Sequence, residues 1–342
     1  MGIDLATRKM LWANSGNKCS FPNCNEELVF LEGESVNPSN IGEEAHIVGK
    51  NEDGPRGLSL MDSVQRDNYD NLILLCRNHH KIVDDQVSIY SVEVLKEYKY
   101  KHENWVKENL TFDSKRIENE ILIARYIDKL FELAEIENWY NWTSGIFAAG
   151  PPSPSINQRI IRKLEELDHY SKSRIWPDSH QEIKKAFNNF IFIAYDFIGV
   201  FKKFAVFPII NKNEMTQETI DNQIIHTSAF YKLEPHTEEE YNRLANKWEY
   251  HCDLVIDLGL EMTRAANYIL DLVRLHIFSD FRMDEGKLLV QMAPNYNFRG
   301  ISYCPEYKAE EKKTLYTDLK SFMEIRDSRN RSMGTGISNF YL

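Results

Sequence analysis

Positive charge is what this 342-residue chain has too little of: 41 Lys and Arg stand against 52 Asp and Glu, a formal net charge of -11. So acidic a chain gains nothing from bulk attraction to a polyanion. Any contact with nucleic acid must come from a local basic surface or from divalent ions that offset the carboxylates. Cysteine is scarce as well. Five cysteines are an odd number, which suits a reducing cytoplasm better than a disulfide framework. No basic-then-apolar leader is visible at Met1-Gly2-Ile3-Asp4. Long apolar runs are missing too: the best, Phe190 to Phe201, contains Asp196 and ends at Lys202-Lys203, too short to span a bilayer. The expectation is a cytoplasmic protein without a membrane partner. There is no Gly-rich phosphate loop and no repeat at a fixed period. What remains is a chain with 42% hydrophobic and 12% aromatic residues, long enough for two domains with real cores.

The scarce cysteines are not spread evenly. Three of the five, and three of the ten histidines, fall in the first 85 residues. Cys19 and Cys24 form one close pair, Cys76 and His79 another, and structural zinc takes four Cys/His ligands as two such pairs from separate segments. Two plainer readings stand beside zinc. Cys76 follows Leu-Ile-Leu-Leu and could pack as a small core hydrophobe, and Cys19 with Cys24 could form a disulfide. The ligand-like spacing of both half-sites favours Zn²⁺.

His80 adds something that zinc does not need. Neighbouring side chains on a helix diverge by about 100°, so His79 and His80 do not serve one ion comfortably. Asp84, four residues on, shares the helix face of His80. Such a pair is half of a divalent-metal site, or a surface ion pair if nothing completes it. Its position beside the zinc ligands favours the metal. His102, on the apolar stripe of a later helix, reads as packed, and His251-Cys252 as structural.

Taken together these residues resemble the HNH, or ββα-metal, nuclease family, over about residues 5–110. The match runs through Leu11-Trp12, Gly16, Lys18-Cys19, Cys24, His46-Ile47, Gly54-Pro55-Arg56, Asn71-Leu72, Leu75-Cys76 and His79-His80. The resemblance implies a metal-dependent DNA endonuclease. In it His46 is the general base, Asn71 orients that base, and His80 holds a catalytic Mg²⁺ or Mn²⁺, with Asp84 at a further ligand position. Two places depart from the pattern. Ala45 stands where the family often has Asp or His, with Glu44 one residue further back as a substitute carboxylate, and His79 stands where many relatives have Cys. Arg56, Arg77 and Lys81 are the best phosphate contacts. The chemistry fits the residue types: a neutral imidazole takes a proton from water, and a divalent ion polarises the phosphate. HNH domains of this kind occur fused to variable regions in bacterial restriction and phage-defence proteins. That implies a regulated effector gated by an activating ligand, a partner protein or homo-oligomer formation. The competing class is a non-catalytic, zinc-stabilised module that binds nucleic acid or protein.

The fold expected is α+β: a small zinc-stabilised ββα-metal nuclease domain over 1–112, a larger and mostly helical domain over 113–330 with a short late β-hairpin, and a polar tail at 331–342. Asp4 caps a first helix that ends at Gly16. Strands are expected near Leu28–Leu31, Ala45–Val48 and Leu72–Leu75, with a loop from Pro55 to Asp70. Helical spacing follows at His79–Asp84, from Ser91 to Leu110, and over Ile117–Ile136. After a break at Gly150–Ser155, helical patterns cover Asn157–Ser171, His180–Phe207, Glu238 to about Ile277, and Glu310–Arg326. The hairpin candidates are Lys287–Met292 and Gly300–Tyr303. No chemistry is legible in the C-terminal two-thirds.

Overall fold

A computed structural model describes residues 2–24, 26–30, 39–109, 114–147, 154–208, 216–232, 237–292 and 301–330. The chain is α+β, mostly helical with small antiparallel sheets. It divides into two compact units: Met1–Asp128 with Val273–Phe281, and Lys129–Leu272 with Arg282–Leu342.

The first unit opens with α1 (Leu5–Asn14). Asp4 accepts from the Thr7 amide at its N-terminus, as the cap residue predicts. Asp128 takes the Leu5 and Ala6 amides at 3.1 Å each, so three of the orphan donors of that turn are satisfied. Short strands β1 (Val29–Phe30) and β2 (Ser39–Asn40) pair with each other. Then β3 (Gly42–His46) pairs antiparallel with β4 (Leu72–Cys76), His46 lying opposite Leu72 and Gly42 opposite Cys76. All five residues of β4 are buried. That accounts for an unalternating apolar run, since both faces of the strand are covered. Between the two strands lies α2 (Ser63–Arg66), where Asp62 and Gln65 form a reciprocal capping box. The stretch expected as loop therefore holds a helical turn. From β4 the chain passes directly into α3 (Arg77–Asp85), then α4 (Val92–Asn109). Leu11, Trp12, Leu28, Ile47, Leu72–Leu75, Val83 and Leu95 form the core beneath the Cys/His residues. His102 of α4 is buried with Nε2 at 3.0 Å from the Ser15 carbonyl, a satisfied core histidine as read.

Helix α5 (Ser114–Leu133) spans the division between the units. The second unit contains α6 (Trp139–Phe147), α7 (Gln158–Lys172), α8 (Gln181–Lys202) and most of the long α10 (Glu238–His276). A small sheet, unforeseen in the sequence, joins β5 (Ser155–Asn157), β7 (Ile224–Thr227) and β6 (Ala205–Val206), with β7 central and short α9 (Gln217–Asp221) before it. Formation of β6 is what stops α8 at Lys202 and not at Phe207. The late hairpin is present as β8 (Val290–Met292) and β9 (Ile301–Tyr303). The last helix, α11 (Leu319–Asn330), starts nine residues later than its apolar spacing suggests. Asp318 accepts from the Ser321 amide at 2.9 Å and sets that start, while only a 3₁₀ turn forms at Glu311–Lys313. The breaks expected at 111–113 and 150–153, and the tail at 331–342, lie outside the described residues.

Helix α10 hides polar residues that periodicity assigns to neither core nor solvent. Glu261 is fully buried and accepts from Tyr307 Oη at 2.9 Å, Arg264 at 3.3 Å and Arg329. Asp257 meets Arg326 at 2.9 Å. These buried pairs tie α11 to α10, and losing one partner would strand a charge.

His251 on the same helix is 5% exposed, packs edge-on against Phe204 at 4.8 Å, and leaves Nε2 without a hydrogen-bond partner. Burial, with Lys203 nearby, pushes its pKa down to about 4. An unfolded chain protonates His251 below about pH 6.5 while the folded one does not until about pH 4, so its stabilising contribution is present above pH 6.5 and lost as pH falls through that window. Urea unfolding should show wild type losing roughly 2 kcal/mol between pH 7 and pH 5 beyond any loss in His251→Phe. Equal losses in the two proteins would refute this.

Candidate functional site

The site grows from the β3–β4 pair and the helix that leaves it. Cys76 ends β4 and His79 sits in the first turn of α3, so strand end and helix start present Sγ and Nδ1 to each other at 3.1 Å. The Cys19 to Cys24 turn comes in from the other side. Cys19 Sγ lies 3.6 Å from His79 Nδ1 and accepts the Cys76 amide at 3.3 Å. Phe21 stacks on the His79 ring at 4.0 Å, holding it in plane. The four ligand atoms of Cys19, Cys24, Cys76 and His79 all lie within 4.8 Å of one another. A tetrahedral zinc, with Zn–S of about 2.3 Å and Zn–N of about 2.0–2.1 Å, needs ligand atoms roughly 3.3–3.8 Å apart. The Cys3His group is therefore able to hold a metal ion, and His79 would bind through Nδ1. All five cysteines are free, so the Cys19–Cys24 disulfide is not formed. Without an ion, burial first of all pushes the Cys19 thiol up to about 12, and the Cys76 thiol is raised by the same cause. Burial thus favours the neutral thiols, and a bound cation would offset the cost of their ionisation.

One guanidinium clamps the strand end bearing His46 to the helix bearing His80 and Asp84. Arg56 donates to the Ile47 carbonyl at 2.8 Å, the Val83 carbonyl at 2.6 Å, Asp84 Oδ1 at 2.6 Å and, at 3.5 Å, the His46 carbonyl. Its side chain is 4% exposed and its φ is 54°, a left-handed backbone that a non-glycine residue adopts only under constraint. Arg56, expected on phosphate, is thus spent on internal bonds. Arg77 and Lys81 remain exposed, Arg77 at 3.4 Å from Glu43 and Lys81 at 2.6 Å from Asp85.

The carboxylates are divided by strand parity. Glu44 turns toward α1, accepting from Trp12 Nε1 at 3.0 Å and pairing with Arg8 at 3.2 Å. It does not reach His80. Glu43, one residue earlier and on the other face, lies 2.7 Å from His80 Nδ1. Asp84 lies 3.3 Å from His80 Nε2. The imidazole is thus flanked at both nitrogens. The Asp84 hydrogen bond raises the His80 pKa most; burial opposes it and Glu43 adds to it. Asp84 feels burial upward, but His80 and Arg56 bring it below its ordinary value. Imidazole and carboxylate are suitable donors for a divalent ion. As arranged they do not converge on one point: among the described residues only the Cys3His group does.

His46 has a partner that the sequence did not announce. Its Nε2 lies 2.9 Å from Asp67 Oδ1. With Nε2–H donated to Asp67, Nδ1 is left as the proton acceptor. Asn71 is 2% exposed and does not touch the ring. Its Oδ1 accepts the Val48 amide, and its Nδ2 donates to the Val48 and Arg66 carbonyls, each at 2.9 Å. It pins the chain just after His46 to the chain just before β4. Asp67 and Glu43 went unnoticed because neither falls in the Cys/His spacing. Parity from Ala45 points to Glu43, whereas Asp67, 21 residues from His46, left no signal.

A scan against protein-family models finds no match to the chain. A search of curated proteins finds none either. No helix among the described residues is long and apolar enough to cross a membrane.

Proposed function

We propose that the N-terminal region is a zinc-stabilised ββα-metal module of the HNH kind, a metal-dependent endonuclease that hydrolyses DNA phosphodiester bonds. The observation that carries this reading is the Arg56 clamp, which joins the strand end of His46 to the α3 turn of His80 and Asp84 beside the Cys3His group. In this reading Zn²⁺ at Cys19, Cys24, Cys76 and His79 is structural and fastens the Cys19–Cys24 turn to the end of β4 and the start of α3. His46, oriented by Asp67, takes the proton of the attacking water at Nδ1. Asn71 keeps the loop behind that histidine in register. His80 with Asp84 and Glu43 would hold Mg²⁺ or Mn²⁺, which when bound neutralises charge on the phosphoryl group and the leaving oxygen. Arg77 and Lys81 are the exposed cations left for phosphate.

Residues 113–330 are read as a sensing or oligomerisation domain that makes the protein a regulated effector, of the sort found in restriction or anti-phage defence. An activating ligand, a protein partner or self-association would supply the trigger. A second reading, a non-catalytic zinc module, is favoured by Ala45 and by the lack of convergence around His80. Plasmid DNA incubated with full-length protein separates the two. Nicking that requires Mg²⁺ or Mn²⁺ and disappears in His80→Ala supports the nuclease. DNA or protein binding with no cleavage, indifferent to His80→Ala and Asp84→Ala, supports the module.

A further inference from the structure

The segment from Gly49 to Asp67 leaves β3 just after His46 and returns at the carboxylate that holds His46. It is long and has little secondary structure, yet it is built rigidly. Arg66 is 4% exposed and sits at its centre. Its guanidinium donates to the carbonyls of Met61 at 3.1 Å, Gly57 at 3.0 Å, Ser59 at 3.4 Å and Gly49. Gly49 and Gly57 lie so close to neighbouring carbonyls that a Cβ on either would collide, with Pro55 O in one case and Asn51 O in the other. The Asp62–Gln65 capping box fixes the end.

This scaffold leaves its apolar side chains in water. Carbonyls of alternate residues, 57, 59 and 61, turn inward to Arg66, and the intervening Leu58 and Leu60 are 94% and 105% exposed. Val64 on α2 is 71% exposed. The Arg66 bonds hold the backbone on the course that leaves both leucines in water. The same segment carries exposed Glu52, Asp53 and Asp62 against a single exposed cation, Lys50.

The charge decides what could cover this surface. A nucleic acid would meet carboxylates where it needs cations. A second copy docked two-fold would bring the same excess of carboxylates against itself. A polypeptide that offers apolar side chains together with Lys and Arg meets both the leucines and the carboxylates. We propose that the Arg66-pinned loop is a docking surface for a protein partner of that chemistry, which would sit at the edge of the His46 site. The inference does not rest on the nuclease reading, because the test reads binding and not cleavage.

The probe is a phage-displayed random-peptide library panned on full-length protein and counter-selected on the Leu58→Asp/Leu60→Asp double variant. Both side chains are already solvated, so the variant should melt at the wild-type temperature. Selected peptides should combine apolar residues with Lys or Arg. Measured by fluorescence anisotropy, their affinity should fall at least about tenfold in the double variant and weaken as salt rises. Glu52→Lys/Asp53→Lys, which spares the leucines, should weaken them too. Four results would overturn the proposal. They are no wild-type-specific peptide, peptides indifferent to both double variants, self-association by sedimentation that the leucine variant abolishes, or loss of labelled duplex-DNA affinity in that variant in place of peptide affinity.

Discussion

Cys76→Ala should strip the protein of its tightly held metal and unfold the region around β3, β4 and α3, while the second unit keeps its helices. Cys76 is 3% exposed, ends β4 and faces His79 Nδ1 at 3.1 Å, so it belongs at once to the strand, the helix start and the ligand set. In small zinc modules metal binding contributes about 10–16 kcal/mol to folding, and a site short of one thiolate retains only part of that. A loss well above about 3 kcal/mol is expected, larger than removing a thiol from an ordinary core. Elemental analysis of purified wild type should find about one zinc per chain, bound through four protein ligands. Amide exchange should then show residues 72–85 losing protection in the variant or after prolonged chelation. Cys304→Ala, a cysteine outside the cluster, serves as control. Wild type that is folded and metal-free, or Cys76→Ala that keeps both its metal and its protection, would sink the assignment.

On the proposed nuclease reading, His46→Ala should abolish DNA cleavage without unfolding the protein. The side chain is 16% exposed and its Nε2 meets one carboxylate, that of Asp67, so truncation leaves a small, wettable gap. General-base catalysis contributes typically about 10²- to 10⁴-fold, and a loss in that range is expected. Asp67→Asn should cost less, at least about tenfold, because the base survives but its tautomer and orientation are no longer held. Glu44→Ala should leave cleavage within a few-fold of wild type, since Glu44 faces Trp12 and Arg8, whereas Glu43→Ala should reduce it. Plasmid nicking over a Mg²⁺ and Mn²⁺ titration measures all four, with circular dichroism as the check on folding. Equal rates for wild type and His46→Ala would remove His46 from the chemistry.

Much of the candidate site was legible because its chemistry is local. The Cys19/Cys24 and Cys76/His79 pairs are close in sequence, and ligand spacing within a turn survives any tertiary arrangement. His80 and Asp84 share a helix face for the same reason, and their 3.3 Å pairing follows from the helix repeat. Asn71, expected to orient His46, bonds the backbone just after it, at Val48. Arg56, expected on phosphate, is the clamp between the chain after β3 and α3.

Sequence alone therefore determined the elements with strong periods and the Cys3His group: α1 with its Asp4 cap, the buried run of β4, the long helix from Glu238, and four ligands that converge. Tertiary structure decided everything that depends on which face meets which neighbour. Antiparallel pairing puts Glu43 toward α3 and Glu44 toward α1, and no composition can reveal that until both helices are in place. It also brought Asp67 back to His46 over 21 residues, and buried Asp257 and Glu261 by pairing them with arginines more than sixty positions away. The reason is physical. Helix periods and ligand turns are set by bonds within a few residues, whereas a buried charge is tolerated only where a distant partner happens to meet it.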